Sequence, residues 1–224
     1  MTQEHWTAVD RYLTELLVKP DPALDAALAA SAAAGLPFIN VSPVQGKLLQ
    51  ILAQAQGARS ILEIGTLGAY STIWLARALP PGGRLITLEA DPKHAEVARA
   101  NLARAGLQAA VELHLGNAVE TLPRLAAEGR GPFDLIFIDA DKAGYPAYFT
   151  WALKLSRRGS LIIADNIVRQ GAVVDAASDD PAVQGVRRLH ELMAAEPRVI
   201  ATGIQTVGIK GYDGFAIARV IADP

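Results

Sequence analysis

Cysteine is absent from all 224 residues, which removes disulfides, thiolate metal sites and a cysteine nucleophile and fits a reducing compartment. A dominant charge is absent as well. The 21 Lys and Arg nearly balance the 23 Asp and Glu, and a net charge of −2 gives no electrostatic reason to expect nucleic acid or an anionic membrane as partner. Long apolar runs are missing too. The Ala-rich stretch from Ala23 to Ala34 is interrupted by Asp25 and Ser31 and closed by Gly35 and Pro37, well short of the ~20 apolar residues that a membrane span needs. Met1 to Trp6 lack the basic-then-apolar order of a secretory signal, so the cytoplasm is the expected location. What is present is enough for one well-buried core: 51% of residues are hydrophobic, and the length suits a single enzyme domain over residues 1–224. A small molecule is the expected partner.

The first forty residues predict helices that extend the N-terminus of that domain. Trp6, Val9, Tyr12, Leu13, Leu16 and Leu17 recur at spacings of three and four until Pro20 stops the pattern. Asp21-Pro22 and Ser42-Pro43 each supply a cap followed by proline at the first helical position, and Gly35 and Gly57 close the two helices. Short apolar runs then alternate with helical stretches. Ile61–Ile64, Arg84–Leu88, Val111–Leu115, Leu135–Ile138 and Leu161–Ala164 read as strands, with helices at Tyr70–Leu79, Pro92–Ala105, Asn117–Ala127 and Tyr145–Leu155. Such alternation implies parallel strands joined by right-handed crossovers, with helices on both faces. After a helix at Pro181–Ala195, two apolar runs, Val199–Val207 and Phe215–Ile221, flank Asp213-Gly214, a dipeptide that predicts a hairpin turn. The expected fold is α/β: a doubly wound, mostly parallel seven-stranded sheet with a C-terminal antiparallel hairpin and extra N-terminal helices.

Glu63-Ile-Gly65-Thr-Leu-Gly68 falls where the first strand turns into a helix, the place where open α/β sheets bind ligands. Glycine there lets a ligand approach the backbone. Glu89, at the end of the second strand, stands where an acid holds a ribose in nucleotide-binding folds. These two features alone do not separate S-adenosylmethionine (SAM) from a nicotinamide cofactor. Glu63 does: it replaces the first glycine of the dinucleotide pattern, and its carboxylate would repel a pyrophosphate yet suit ammonium and sulfonium charges.

Asp139 closes the fourth strand, and Asp165-Asn166 close the fifth. Neighbouring parallel strands lie ~5 Å apart, so Asp139, Asp165 and the Asn166 amide oxygen converge as a hard, all-oxygen set. It suits magnesium, with calcium or manganese as alternatives, and it does not suit zinc. Two carboxylates that close repel each other unless a cation or a shared proton relieves them. Lys142, three residues beyond Asp139, reaches the same pocket; a nearby dication lowers an ammonium's pKa toward the range of a useful base. The competing reading makes Lys142 a surface residue paired with Asp141.

Asp139-Ala-Asp-Lys142 and Asp165-Asn166, behind Glu63-Ile-Gly65-Thr and Tyr70-Ser71, resemble the metal-dependent O-methyltransferases, the family of catechol and caffeoyl-coenzyme A methyltransferases. The match runs from about Val41 to Val220. The resemblance implies Asp139, Asp165 and Asn166 as metal ligands and Lys142 as the base. It implies that Val41, Glu63, Gly65, Ser71, Glu89, Ala118 and Asp139 contact SAM, and that the chain forms a homodimer. Three positions depart from the family pattern. Ala69 stands where Gly is common, Asn117 where Asp is common, and Asp141 where the animal catechol enzymes carry a Trp gate, which predicts a more open, polar pocket.

The function expected from residues and resemblance together is SAM-dependent O-methylation of a catechol-like or caffeoyl-type phenol with a divalent metal. The alternatives are a metal-independent methyltransferase on another small molecule, a nicotinamide-dependent oxidoreductase and, least supported, a noncatalytic binding module. His5, His94, His114 and His190 show no ligand spacing and read as structural or surface residues. No residue pattern specifies the acceptor itself.

Overall fold

The computed structural model describes residues 2–223. Three helices come first: α1 (Gln3–Leu17), α2 (Pro22–Ala33) and α3 (Pro43–Ala55). Their starts follow the capping chemistry of the sequence. The Asp21 carboxylate accepts the N–H groups of Ala23 and Leu24 at 3.0 and 3.2 Å, and the Ser42 hydroxyl accepts that of Gln45 at 3.3 Å. Pro22 and Pro43 occupy first-turn positions where a missing N–H costs nothing.

Alternation then sets in, with β1 (Ser60–Ile64), α4 (Tyr70–Ala76), β2 (Arg84–Glu89), α5 (Pro92–Arg104), β3 (Val111–Leu115), α6 (Ala118–Ala127), β4 (Leu135–Ile138), α7 (Tyr145–Lys154) and β5 (Leu161–Asp165). The tail adds α8 (Pro181–Ala195), β6 (Val199–Gly208) and β7 (Gly211–Val220). All seven strands form one sheet in the order β3-β2-β1-β4-β5-β7-β6. The first five pair in parallel, and β7 runs antiparallel to both β5 and β6. The expected doubly wound sheet with its antiparallel finish is therefore present. Strand residues alternate between two cores: Leu62, Ile86 and Ile136 pack toward α6, α7 and α8, while Ile61, Leu85 and Leu135 pack toward α2 to α5.

Two boundaries differ from expectation by three residues or more. Helix α4 ends at Ala76 rather than Leu79, because Pro80 follows and a residue before proline is pushed out of the helical region. The hairpin turn is not at Asp213-Gly214. It lies at Ile209-Lys210, between the paired Gly208 and Gly211, and Gly211 takes the left-handed φ of 93°. Asp213 and Gly214 sit inside the ladder opposite Thr206 and Gln205. Asp213 is there for its side chain, whose Oδ1 accepts the N–H groups of Val168 and Arg169 at 2.9 and 3.1 Å. Gly214 is there for space, since a Cβ on it would stand 2.3 Å from the Ile204 carbonyl oxygen.

Strand order reverses between β1 and β4, which makes their C-terminal ends the switch point of the sheet. The backbone stays knitted past the strand ends there. Gly65 N–H donates to Leu88 O at 3.0 Å, and Asp139 N–H donates to Ile64 O at 2.9 Å.

Candidate functional site

Gly65 leaves β1 with a φ of 100°, and a Cβ on it would lie 2.0 Å from the Asp139 carbonyl oxygen. The glycine is thus demanded by the chain's own neighbouring strand end, a tighter requirement than ligand approach. Ala69 also takes a left-handed φ, 66°, which accounts physically for glycine being common at that position.

Glu63 is fully buried. Its carboxylate accepts hydrogen bonds from Ser71 Oγ at 2.6 Å, Thr72 Oγ1 at 2.5 Å and Thr87 Oγ1 at 2.7 Å, and burial pushes its pKa up to about 7. It therefore does not stand at the loop mouth as a bare charge, as the sequence reading supposed; Ser71 lies in front of it. The Glu89 carboxylate accepts the N–H groups of Leu67, Asp91 and Thr66 at 2.7, 2.9 and 3.3 Å, so it shapes the glycine loop.

A cleft of about 380 Å³ opens at the switch point. Val41, Gly65, Ser71, Glu89 and Asp139 of the expected cofactor set line it, together with Lys142 and Asn166. Ala118 lies in an adjoining recess of about 290 Å³ that shares Gly65, Ala140 and Asp141 with the cleft. Asn117 caps α6 at its edge, accepting the Val119 N–H at 2.9 Å. A third recess, of about 310 Å³, contains Asp165 and meets the cleft at Asn166. The cleft, its adjoining recess and the third recess thus form a run of cavities, with Asn166 common to the first and the last.

Sequence reasoning missed several lining residues. His94, read as structural or surface, lines the cleft with Nδ1 3.5 Å from Glu89 Oε1. Ile39, Asn40 and Arg169 line it as well, from loops that carry no motif. A left-handed kink after Asn166 was the missing signal for Arg169, and no spacing rule reveals one.

The strand register brings the two acids together. Ile138 pairs with Ala164, so Asp139 and Asp165 follow side by side. Asp165 is 5% exposed, and burial, with the Asp139 charge beside it, pushes its carboxyl well above the usual range. Asn166 adopts φ 55°, a conformation asparagine tolerates, and donates its N–H to Asp165 Oδ1 at 2.9 Å. Lys142 Nζ donates to Asp139 Oδ1 at 2.9 Å and to Ala140 O at 3.0 Å. Asp141 is not its partner, since that carboxylate accepts the Gly144 N–H and the Tyr148 hydroxyl. Tyr145 ties the arrangement underneath, donating its hydroxyl to Asp165 O at 2.8 Å.

Among the described residues no three His, Cys, Asp or Glu side chains converge as a cation cage. The candidate set is two carboxylates and an amide. That chemistry fits a hard divalent ion, which would offset both the burial of Asp165, the larger cause of its raised carboxyl, and the Asp139 charge beside it.

The O-methyltransferase family profile matches residues 18–221. The chain belongs to the O-methyltransferase family. Membership makes it an enzyme that moves a methyl group to oxygen. It is 56% identical over 220 residues to a catechol O-methyltransferase of Niastella koreensis, covering 98% of this chain and 100% of that one. Among solved structures it is similar to an O-methyltransferase from Bacillus cereus in complex with SAH, with 59% identity and a TM-score of 0.97 over 98% of this chain and 100% of that one. It is also similar to the O-methyltransferase TomG of Streptomyces achromogenes, involved in tomaymycin synthesis and in complex with SAM. There the identity is 54% and the TM-score 0.96, over 99% of this chain and 100% of that one. The two solved O-methyltransferases share the overall fold of this chain.

Proposed function

We propose that this O-methyltransferase transfers the methyl group of SAM to a hydroxyl of a catechol-like phenol, with Asp139, Asp165 and Asn166 holding a divalent cation. The observation that carries this reading is the meeting of two adjacent strand-end carboxylates with Lys142 at the junction of a groove and a small pocket. The SAM- and SAH-bound relatives support the donor, and the catechol enzyme of Niastella supports the acceptor class.

Val41, Gly65, Ser71, Glu89, Asp139 and, in the adjoining recess, Ala118 form the donor's wall. Glu63 acts behind that wall by fixing the Ser71 hydroxyl. Lys142, as its neutral amine, receives the proton of the acceptor hydroxyl on the Nζ lone pair and becomes the ammonium, while its N–H bond to Asp139 keeps Nζ in position. A bound cation would supply charge stabilisation to the resulting oxyanion and fix its line of approach. Asn166, shared by groove and pocket, sets where donor and acceptor meet.

A homodimer belongs to the same proposal. No residue of helix α1 is fully buried, and Val9, Tyr12 and Leu16, on one helical face, are 50%, 62% and 63% exposed. The cytoplasm is the proposed place of action; no helix among the described residues is long and apolar enough to cross a membrane.

The test is transfer of labelled methyl from SAM to a panel of catechols, with magnesium and with excess EDTA. Transfer that stops with EDTA and returns with magnesium is the expected result. Equal transfer under chelation would remove the cation and leave a metal-independent methyltransferase, the reading favoured by the existing Lys142–Asp139 ion pair.

A further inference from the structure

Asn101, on α5, is completely buried, although no ligand-facing role was expected of it and it does not line the cleft. Its amide is fully spent. Nδ2 donates to Gly68 O at 2.8 Å and to Ala27 O at 3.3 Å, while Oδ1 accepts a hydrogen bond from Arg104 Nη1 at 2.6 Å. Two carbonyls require donors and a guanidinium requires an acceptor, so the neighbours themselves fix which way the amide points. One side chain thus ties α5 to α2 of the N-terminal extension and to the loop between β1 and α4. Gly68 also packs directly on α2, since a Cβ on it would stand 2.0 Å from Ser31 Oγ and 3.2 Å from Ser31 Cβ. Ser31 in turn donates its hydroxyl to the same Ala27 O at 2.8 Å.

The loop that receives this bond has a costly backbone. Gly65, Leu67 and Ala69 take φ of 100°, 50° and 66°, so two of its left-handed residues carry side chains. Such conformations persist where the surroundings impose them. Glu89 imposes the shape on one side by accepting the N–H groups of Thr66 and Leu67, the part of the loop that lines the cleft. Asn101 imposes it on the other, through the carbonyl of buried Gly68. Removing that donor would leave the carbonyl buried and unpaired, and the loop would relax toward shapes that satisfy it.

We propose that Asn101 is a positioning residue of the donor site, pinning the loop of residues 65–69 to α2 so that the N-terminal extension sets the affinity for SAM from behind the cleft. The inference rests on SAM occupying the cleft beside that loop, and it is independent of which acceptor is methylated. Without the anchor the competent loop shape is only fractionally populated, and the apparent affinity for SAM falls by that fraction. Once SAM is bound, Lys142 and the acceptor pocket are unchanged.

Asn101→Leu, close in volume and unable to donate, is compared with the parent protein and with Phe149→Leu, a change in the core on the other face of the sheet. The readouts are the calorimetric Kd for SAM, thermal unfolding, and kcat and KM for catechol at saturating SAM with magnesium. Asn101→Leu is expected to weaken SAM binding by roughly 10- to 100-fold, with kcat and the catechol KM within about 3-fold of the parent. Phe149→Leu is expected to lose stability and keep the parental SAM Kd. A second pair leaves the amide in place: Gly68→Ala drives the loop off Ser31 and weakens SAM binding, and adding Ser31→Gly removes the obstructing atoms and restores it. A parental SAM Kd in Asn101→Leu, or a loss that Phe149→Leu matches, makes Asn101 a structural residue and overturns the proposal. If Asn101→Leu does not fold, the second pair decides, recovery supporting the proposal and no recovery overturning it. A parent that binds SAM with no variant weakened refutes this inference alone, whereas a parent that binds no SAM refutes the donor reading with it.

Discussion

Gly185 of α8 packs directly on the backbone of Lys142: a Cβ at position 185 would stand 2.1 Å from the Lys142 carbonyl oxygen and 2.9 Å from the Ala143 Cα. Backbone atoms cannot step aside as a flexible side chain does, so the helix fixes the height of the turn that carries the proposed base.

Gly185→Ala is therefore expected to act on both stability and rate. Overpacking against backbone costs about 1–3 kcal/mol, and a shift of about 1 Å in Lys142 lowers kcat by as much as 10²-fold. Thermal unfolding and steady-state kinetics measure the two effects. A variant with parental kcat would show that the turn tolerates the displacement.

Lys142→Ala removes the proton acceptor and the hydrogen-bond partner of Asp139, and leaves the residues assigned to the donor in place. The expected outcome is a kcat lowered by about 10²- to 10⁴-fold, with KM for the phenol within about 3-fold. An unchanged turnover number would exclude Lys142 as base.

Asp165→Ala separates cation binding from donor binding, because Asp165 lines the small pocket and not the cofactor groove. Magnesium-dependent turnover is expected to vanish while the SAM Kd, read by calorimetry, stays within about 3-fold. Normal turnover in this variant would sink the proposed cation site.

Glu63 makes the ligand-free protein pH-dependent. Its carboxyl ionises at about 7 in the fold and near 4.3 in an unfolded chain. Between those values the folded state binds more protons than the unfolded one, so stability falls as pH rises through that window. The contribution is at most about 4 kcal/mol. Urea unfolding of the ligand-free protein at several pH values from 5 to 8, set beside Glu63→Gln, should give a flatter profile in the variant. Parallel profiles would show that the three hydroxyls already stabilise the ionised form.

The strand–helix alternation specifies the architecture, because buried parallel strands require short apolar runs and crossovers require amphipathic helices between them. The strand-end residues Gly65, Glu89, Asp139, Asp165 and Asn166 were legible for the same reason: once strands are located, their C-terminal ends are located too. Capping chemistry likewise placed α2 and α3 through Asp21-Pro22 and Ser42-Pro43.

Other features depended on contacts between distant segments, which local patterns do not encode. Asp213-Gly214 has the local chemistry of a turn, yet Asp213 is recruited by Val168 and Arg169, some 44 residues earlier in the chain, and the turn falls between two other glycines. Glu63 has the position of a ligand-facing acid, yet Thr72 and Thr87 close over it from α4 and β2. Sequence by itself determined which residues stand at the C-terminal ends of the strands, since strand periodicity and strand limits are local. Tertiary structure alone decided which of them face the cleft, which are spent on each other, and that Arg169 is left with a buried N–H unpaired, because those outcomes depend on side-chain packing across the whole fold.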